Sequence, residues 1–161
     1  MKSIKKETKL KDKKILLRLD LNVPLDNCKI TDTTRIDKIL PTLRFLISQN
    51  AKIIIISHVG RPKGKFVKEL SLKPICKDLE NKLNRKVRLI SENIKKIDSR
   101  DLFTSIDEKI VMLENIRFYD EEEENDEQFA RCLASLAEIY VNDAFSCSHR
   151  AHSSIYKITK F

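Results

Sequence analysis

Glycine is scarce in this sequence, which contains only Gly60 and Gly64 among its 161 residues. The common nucleotide-binding loops need several closely spaced glycines, because the backbone must approach the phosphate groups. Neither Gly-x-x-x-x-Gly-Lys-Ser/Thr nor Gly-x-Gly-x-x-Gly occurs. The sequence therefore predicts no phosphate-binding loop of a known type.

Long apolar runs are also missing. No stretch approaches the roughly 20 apolar residues that a membrane-spanning helix needs, and no apolar signal segment follows the charged N-terminus. Cys28, Cys76, Cys132 and Cys147 are widely spaced and form no Cys-x-x-Cys pair. We therefore expect a cytoplasmic protein with reduced thiols and no membrane partner.

The net charge of +8 raises the question of a nucleic-acid partner. Residues 119–127 carry seven acidic side chains and no basic one, so the rest of the chain is still more basic. That excess is mostly scattered lysine, whereas a nucleic-acid site needs a clustered basic face, often with exposed aromatic residues. The sequence has no Trp and only 6% aromatic residues. We expect no nucleic-acid partner, and we interpret the acidic run as a solvated face.

Predicted strands and helices alternate along the chain, and its length suits a single domain. The predicted strands are Ile15–Leu19, Lys52–Ser57, Lys86–Ile90, Lys109–Leu113 and Ile139–Asn142. Alternation of this kind predicts a mainly parallel sheet with right-handed crossovers and helices on both faces. The expected fold is an α/β, Rossmann-like three-layer domain.

Helical spacing of apolar residues predicts the connecting helices. The first follows the capping residues Thr31–Thr34, and Pro41 should kink or split it. A second helix is predicted near Leu72–Asn84, and a short one within Ser91–Phe103. A capping-box variant from Asn125 to Gln128 predicts a last helix that ends near Glu138.

Four predicted strands end in a cluster of charged and hydrogen-bonding residues. The clusters are Asp20–Pro24, Ser57–Pro62, Glu114–Phe118 and Asn142–Phe145, the last followed by His149–His152. In open α/β sheets, ligands bind beyond the carboxyl ends of parallel strands, so the clusters predict one shared site. Three of the four sets include an arginine, which predicts a small anion as the ligand.

The first cluster allows two interpretations. Asp20 and Asn22 lie two residues apart, so both side chains can face the same side of the crevice, where they suit a ligand hydroxyl beside an anionic group. A plain turn explains them equally well, because Asn-Val-Pro commonly ends a strand. A phosphatase would need aspartate at position 22, so Asn22 counts against that reaction.

The next two clusters contain more specific candidates for an anion site. His58 is followed by Gly60, which lets the backbone approach a ligand closely. Arg61 comes next and can bind a carboxylate or phosphate through two hydrogen bonds. Arg117 follows the end of a strand too closely to be an ordinary surface residue. A salt bridge from Arg117 to Glu114 or to the acidic run is the alternative interpretation.

Two further features allow either a structural or a functional interpretation. The His149-Arg-Ala-His152 segment with Cys147 suggests a metal site, but no second ligand pair exists, so we expect no metal and assign Arg150 to the anion. Arg35 lies in the first turn of a predicted helix, where the helix dipole disfavours a cation. A role beyond helix stability fits Arg35, and a salt bridge to Asp32 is the alternative.

Taken in order, four motifs resemble the phosphoglycerate kinase family. They are Arg18-Leu-Asp-Leu-Asn-Val-Pro24, Ser57-His-Val-Gly-Arg-Pro62, Leu113-Glu-Asn-Ile-Arg-Phe118 and Val141-Asn-Asp-Ala-Phe145 with His149-Arg-Ala-His152. The resemblance extends from about residue 4 to the C-terminus. It implies that residues 1–161 form the N-terminal, substrate-binding lobe of a glycolytic enzyme with two lobes. That family transfers phosphate between ATP and the carboxylate of 3-phosphoglycerate.

The resemblance also implies roles for individual residues. Arg35 matches the family's catalytic arginine, which neutralises charge on the transferred phosphoryl group. The implied 3-phosphoglycerate site comprises Asp20, Leu21, Asn22, Arg35, His58, Val59, Gly60, Arg61, Arg117 and Arg150. Mg-ATP or Mg-ADP is implied to bind the second lobe, so this chain alone should be a monomer that binds no cofactor and transfers no phosphate.

The sequence departs from the family pattern in two ways. The family usually has glycine after Asn-Asp-Ala-Phe, where this chain has Ser146, and a positive φ there would strain a serine. The family's Gly-Gly-Ala-Lys and Gly-Gly-Gly-Asp segments have no counterpart. Two alternatives therefore stay open: a stand-alone or decayed paralogue that binds another small phosphorylated acid, and a nucleic-acid binder that uses the lysine excess.

Overall fold

Seven strands and four α-helices organise residues 3–7 and 9–161, the part of the chain that the computed structural model describes. The strands are β1 (Lys14–Leu19), β2 (Leu25–Asp26), β3 (Lys29–Ile30), β4 (Lys52–Ile56), β5 (Arg88–Ile90), β6 (Ile110–Leu113) and β7 (Ile139–Asp143). The helices are α1 (Thr34–Ser48), α2 (Lys73–Leu83), α3 (Asp120–Glu123) and α4 (Glu127–Ala134). Each predicted strand is present within a few residues of its expected bounds.

The main sheet is parallel and has the strand order β5-β6-β4-β1-β7. Its side chains alternate between two faces, because successive residues of a strand point in opposite directions. Ile15 and Leu17 of β1 pack with α1 and α2 on one face, whereas Leu16 packs with Phe129 of α4 on the other. Helices on both faces of a parallel sheet confirm the predicted three-layer α/β architecture.

The predicted helices need three corrections. Pro41 does not split α1, which runs unbroken from Thr34 to Ser48. The last helix begins after Asp126, whose carboxylate accepts a hydrogen bond from the Phe129 amide (2.7 Å). Asn125 is instead left-handed, with a φ of 58°, so it cannot belong to the first helical turn. That helix ends at Ala134, four residues before Glu138.

Two local elements differ from the sequence-based expectations. The short helix expected in Ser91–Phe103 is a single 3-10 turn at Ile94–Lys96. The hairpin of β2 and β3 was not predicted. Its turn residues, Asn27 and Cys28, both have positive φ (48° and 60°). Cysteine is an unusual residue for such a turn, so the sequence carries a weak hairpin signal.

The strand register places the starts of the polar clusters side by side. Arg18 of β1 pairs with Ile56 of β4 and with Asn142 of β7. The segments that follow these strands therefore start side by side, and β6 lies next to β4. All four clusters follow neighbouring strands at the carboxyl edge of the sheet.

Two further expectations concern the membrane and the thiols. Within residues 3–7 and 9–161, no helix is long and apolar enough to cross a membrane. All four cysteines are free thiols. Burial raises the pKa of the Cys76 thiol to about 12, which makes this cysteine a packing residue.

Candidate functional site

Gly60 joins three of the four clusters through its backbone. Its amide donates to Asn22 Oδ1 (2.9 Å), and its carbonyl oxygen accepts from Arg117 Nη1 (3.1 Å). Asn115 Nδ2 reinforces the contact by donating to the carbonyl oxygen of Val59 (2.8 Å). The predicted convergence of the clusters that follow β1, β4 and β6 is therefore present as direct hydrogen bonds.

The conformation of Gly60 explains why glycine occupies this position. Its φ is +65°, in the left-handed region that side chains with a Cβ rarely adopt. A Cβ atom would also lie 2.7 Å from the Leu70 side chain. Since both its amide and its carbonyl group are hydrogen-bonded, Gly60 cannot rotate to relieve the strain without releasing Asn22 or Arg117.

The carboxylate of Asp20 accepts several hydrogen bonds on the other side of the crevice. Its Oδ2 accepts short hydrogen bonds from Arg35 Nη1 and from Ser146 Oγ, and its Oδ1 accepts from the Asn22 amide (3.3 Å). Arg35 thus pairs with Asp20, so the alternative pairing with Asp32 is wrong. The Ser146 contact brings the cluster that follows β7 into the same site.

The Ser146 departure causes no backbone strain. Ser146 lies in a 3-10 turn, Phe145–Cys147, and it is not among the described residues with positive φ. Its hydroxyl group is instead hydrogen-bonded to Asp20. A serine at this position therefore adds a polar contact inside the site.

Leu21 and Val59 are core residues beside the crevice. They are 0% and 2% exposed. The Leu21 amide donates to Ser57 Oγ (3.1 Å), and Ser57 Oγ donates to the Leu19 carbonyl oxygen (2.7 Å). These residues shape the site through the loops that they anchor.

Arg117 is a buried cation that keeps spare hydrogen-bonding capacity. The residue is 4% exposed, and its Nε has no hydrogen-bond partner among the described residues. Its ionic partner is Glu123 of the acidic run, at 3.6 Å from Nε to Oε1, whereas Glu114 binds the hydroxyl of Ser71. Burial lowers the pKa of Arg117, and the charge of Glu123 opposes that shift. A buried arginine whose Nε–H makes no hydrogen bond is suited to an anionic ligand.

Arg61 and Arg150 are the least constrained of the predicted site residues. Arg61 is exposed and Arg150 is half-buried, and neither side chain makes a hydrogen bond or ion pair within the described part of the chain. Arg150 is close enough to His58 for its charge to help lower the pKa of that ring. No hydrogen bond joins Arg61 to the other candidates, and its place follows from its neighbour Gly60.

A cavity of about 550 Å³ opens beside Asn22 and Gly60. Asn22, Arg35 and Gly60 line it, together with apolar side chains such as Leu70. A space of this size, with a few polar groups on an apolar wall, suits a small polar ligand.

Two residues of the site were missed or misinterpreted from the sequence. The sequence alone suggests no role for Arg18, yet it is 1% exposed and hydrogen-bonded to His58 and Ser154. The prediction of a solvated acidic face is wrong for Glu122, because Glu122 is 0% exposed. Its Oε2 accepts from the Ser154 amide (2.9 Å) and its Oε1 from Ser154 Oγ (2.6 Å). The available signal was an arginine inside an apolar strand, which demands a buried acidic partner.

The histidine-rich segment does not assemble a metal site. In the part of the chain that the structure describes, no group of three or more His, Cys, Asp or Glu side chains could hold a metal ion. His149 is exposed, and His152 Nδ1 lies 3.8 Å from Glu122 Oε1. Burial lowers the pKa of His152, with a smaller contribution from Arg117.

Stability is expected to decline in mild acid because of His58. Burial, followed by the charges of Arg18 and Arg117, lowers the pKa of His58 from 6.5 to about 2. The unfolded chain therefore takes up a proton that the folded chain does not, and the free energy of unfolding falls as the pH drops below 6.5. The slope from this residue should approach ~1.4 kcal/mol per pH unit.

Urea denaturation at pH 7.5, 6.5 and 5.5 measures this slope. The His58→Asn chain keeps a hydrogen-bond acceptor for Arg18 but cannot titrate, so its stability should fall less steeply with acid. His152 and the buried Glu122 titrate in both chains and cancel in the comparison. Equal slopes would contradict a neutral, buried His58.

Comparison with known sequences shows a similarity that covers most of the chain. The family model of phosphoglycerate kinase matches residues 5–161. A curated phosphoglycerate kinase of Wolbachia sp. subsp. Brugia malayi (strain TRS) is 50% identical over 152 residues, which are 94% of this chain and 38% of that protein. The phosphoglycerate kinase of Dictyoglomus turgidum is 46% identical over 152 residues, again 94% and 38% of the two chains.

Solved structures show the same similarity. The phosphoglycerate kinase of Coxiella burnetii superposes with a TM-score of 0.82 at 40% identity, covering 94% of this chain and 37% of that one. The Pyrococcus horikoshii OT3 enzyme gives a TM-score of 0.84 at 28% identity, covering 98% and 40%. This chain therefore spans less than half the length of these relatives. Since the family model matches nearly all of its residues, the chain belongs to the phosphoglycerate kinase family.

Proposed function

We propose that residues 1–161 form the N-terminal, 3-phosphoglycerate-binding lobe of a phosphoglycerate kinase. The whole enzyme would transfer phosphate between ATP and the carboxylate of 3-phosphoglycerate. The observation that carries the proposal is Gly60, which ties Asn22 and Arg117 together beside the unpaired Arg61. Such an arrangement offers fixed donors and free positive charge to one small polyanion.

The two ends of the ligand would meet different residues. Arg61, Arg117 and Arg150, with His58, would hold the 3-phosphate, because guanidinium groups match its oxygens in both geometry and charge. Asp20 and Asn22 would meet the hydroxyl and carboxylate end. This division of roles agrees with the position of the buried Arg117 on one side of Gly60 and of Asn22 on the other.

Arg35 would be the catalytic residue of this lobe. It is half-exposed and bonded to Asp20, so its guanidinium can turn toward a ligand without leaving a buried site. Phosphoryl transfer depends mainly on positioning and on stabilising charge, which an exposed arginine can supply at the transferred group.

The nucleotide would bind to a part of the longer enzyme that this chain does not contain. The sequence has no phosphate-binding loop, and the described residues do not fit Mg²⁺ because they form no cluster of acidic ligands. We therefore expect the isolated chain to bind 3-phosphoglycerate and to transfer no phosphate.

Isothermal titration with 3-phosphoglycerate tests the site, and Arg61→Ala should weaken binding roughly tenfold because one charge-assisted contact is lost. Arg85→Ala is the matched control: Arg85 is also exposed and without a side-chain partner among the described residues, but it follows α2 at the opposite edge of the sheet. The affinity of the Arg85→Ala chain for 3-phosphoglycerate should equal that of the unmodified chain.

Two outcomes would contradict the proposal. The absence of saturable heat at millimolar ligand would contradict the site, and ATP turnover would contradict the inactivity of the isolated chain.

One observation favours the alternative of a binding module for another phosphorylated acid. Ser146 donates to Asp20 Oδ2, an oxygen that also pairs with Arg35. An additional hydroxyl there changes what the ligand's carboxylate end meets. Parallel titrations with 3-phosphoglycerate, 2-phosphoglycerate and glycerol 3-phosphate separate the two functions. The kinase lobe should prefer 3-phosphoglycerate, and a clear preference for another acid would favour the alternative.

A monomeric state, a cytoplasmic location and the lack of nucleic-acid binding stay predictions. Sedimentation at two concentrations checks the first. A retardation assay at physiological salt checks the third, and a complex in that assay would revive the nucleic-acid alternative. For the location, microscopy of the tagged chain in its own cells is the direct measurement.

A further inference from the structure

Arg18 is a buried arginine that reaches the candidate site through His58. Alternation along β1 places its side chain on the face of Leu16, where the residue is only 1% exposed. Its Nε donates to Ser154 Oγ (3.1 Å), its Nη1 donates to the carbonyl oxygen of Leu19, and its Nη2 lies 2.9 Å from His58 Nδ1. All three guanidinium nitrogens are therefore engaged.

The contact between Arg18 and His58 has only one possible polarity. A guanidinium group carries five N–H donors, has no acceptor and stays protonated in proteins. His58 Nδ1 must therefore accept the hydrogen bond, so it carries no proton. In a neutral imidazole the single proton is then on Nε2.

We propose that Arg18 is a positioning residue that fixes His58 as the Nε2–H tautomer and so gives the site a neutral N–H donor. The inference rests on the proposed function in one respect, that a phosphorylated acid occupies the site. A phosphate or carboxylate oxygen can only accept, so it needs this tautomer and not the other. His58 thus serves neither as a cation nor as a general base.

The remaining ring nitrogen is available for this purpose. His58 Nε2 makes no hydrogen bond within the described part of the chain. It is also not one of the buried polar atoms that lack a partner, so solvent reaches it. The charged and titratable groups that act on the ring, namely Arg18, Arg117, Arg150 and His152, all disfavour a second proton on it.

A buried relay holds Arg18 in place. Ser154 Oγ accepts from Arg18 Nε and donates to Glu122 Oε1 (2.6 Å), so the serine links the arginine to a carboxylate that is 0% exposed. Tyr140 adds a short hydrogen bond from its hydroxyl to the Ser154 carbonyl oxygen. Both the hydroxyl and the carbonyl group of Ser154 are therefore hydrogen-bonded. This fixes the direction in which Arg18 points at His58.

Long-range ¹H–¹⁵N NMR of the ¹⁵N-labelled chain tests the tautomer without any ligand. We expect the His58 spectrum to show a pyrrole-type Nε2 and a pyridine-type Nδ1, unchanged from pH 7.5 to pH 5. A proton on Nδ1, an even mixture of tautomers, or titration within this range would overturn the inference.

Two measurements assign the effect to Arg18. A scalar coupling across the hydrogen bond between Arg18 Nη2 and His58 Nδ1 should be detectable in the unmodified chain, and its absence would count against Arg18. In the Arg18→Met chain, both tautomers should appear, and a single Nε2–H tautomer would show that another group fixes the ring. The first measurement decides the question if the variant does not fold.

Titration with 3-phosphoglycerate separates this inference from the proposed function. The His58 Nε2 resonance should move on binding. If no resonance of the chain responds, the proposed function fails while the tautomer assignment stands. If Asn22 and Arg117 respond and Nε2 does not, the inference fails while the proposed function stands.

A pair of variants provides the matched control. In His58→Asn, the side-chain oxygen can replace Nδ1 as acceptor for Arg18, but no donor reaches the position of Nε2. In His58→Gln, the longer side chain brings an amide N–H toward that position. We expect the first to bind roughly tenfold more weakly than the unmodified chain and the second to recover part of the loss. Unchanged affinity in His58→Asn would overturn the donor role.

Discussion

Replacing Glu122 with alanine is expected to lower the free energy of unfolding by ~3–5 kcal/mol, because removing one partner of a buried ionic network leaves the other uncompensated. The stranded partner is Arg18, which is 1% exposed and cannot lose its proton. Both oxygens of Glu122 accept hydrogen bonds from Ser154, an arrangement that suits an ionised carboxylate. Burial raises the pKa of Glu122, and Arg18 is the main group that opposes this shift.

The acidic run itself supplies the control for this prediction. Glu124 lies two residues further on, but it is exposed and its side chain makes no hydrogen bond or ion pair within the described part of the chain. Glu124→Ala should therefore cost less than ~1 kcal/mol. Urea denaturation of both chains at pH 7 measures the difference. Similar losses in the two variants would show that the burial of Glu122 has no special energetic role.

Replacing Gly60 with alanine is expected to weaken 3-phosphoglycerate binding about 100-fold. An alanine at a φ of +65° is strained, and its Cβ would meet Leu70 at 2.7 Å. The Leu70 side chain can turn aside, but relief of the backbone strain would move the amide and carbonyl groups that hold Asn22 and Arg117. If Asn22 and Arg117 are displaced and each loses about 1.4 kcal/mol of its contact with the ligand, the affinity falls by a factor of about 100.

Asn84 provides a control with the same backbone strain elsewhere. It ends α2 in the left-handed conformation, with a φ of 49°, at the opposite edge of the sheet. Asn84→Ala should cost a comparable ~1 kcal/mol of stability and leave affinity unchanged. Calorimetric titration of both variants separates the effects. If Gly60→Ala binds as well as Asn84→Ala does, the role of Gly60 in organising the site is wrong.

The sheet and its polar edge could be predicted because they depend on local patterns. Apolar runs such as Ile53–Ile56 form buried strands wherever they lie in the chain, and helices between them make the strands parallel. The carboxyl ends of parallel strands share one edge, so the polar clusters had to meet. Helix boundaries were less predictable, as at Asn125 and Asp126, because a cap depends on the φ and ψ angles of a single residue.

The pairing of charges could not be predicted, because it depends on which side chains meet across the fold. Arg35 had a nearby acidic neighbour in Asp32 but binds Asp20, fifteen residues away. Glu122 lies in a run of similar residues, and only the packing of α3 against the segment around Ser154 decides that this carboxylate is buried and the next one exposed. Sequence spacing contains no information of that kind.

The sequence alone therefore determined the α/β layers, the edge of the sheet where the candidate site lies and the arginines that favour an anion. Periodicity and residue chemistry are properties of the chain itself. Only the tertiary structure decided that Gly60 holds Asn22 and Arg117 together, and that Arg18 and Glu122 lie buried behind His58. Desolvation and hydrogen-bond partners arise when distant segments pack, so burial and pairing become defined only in the folded chain.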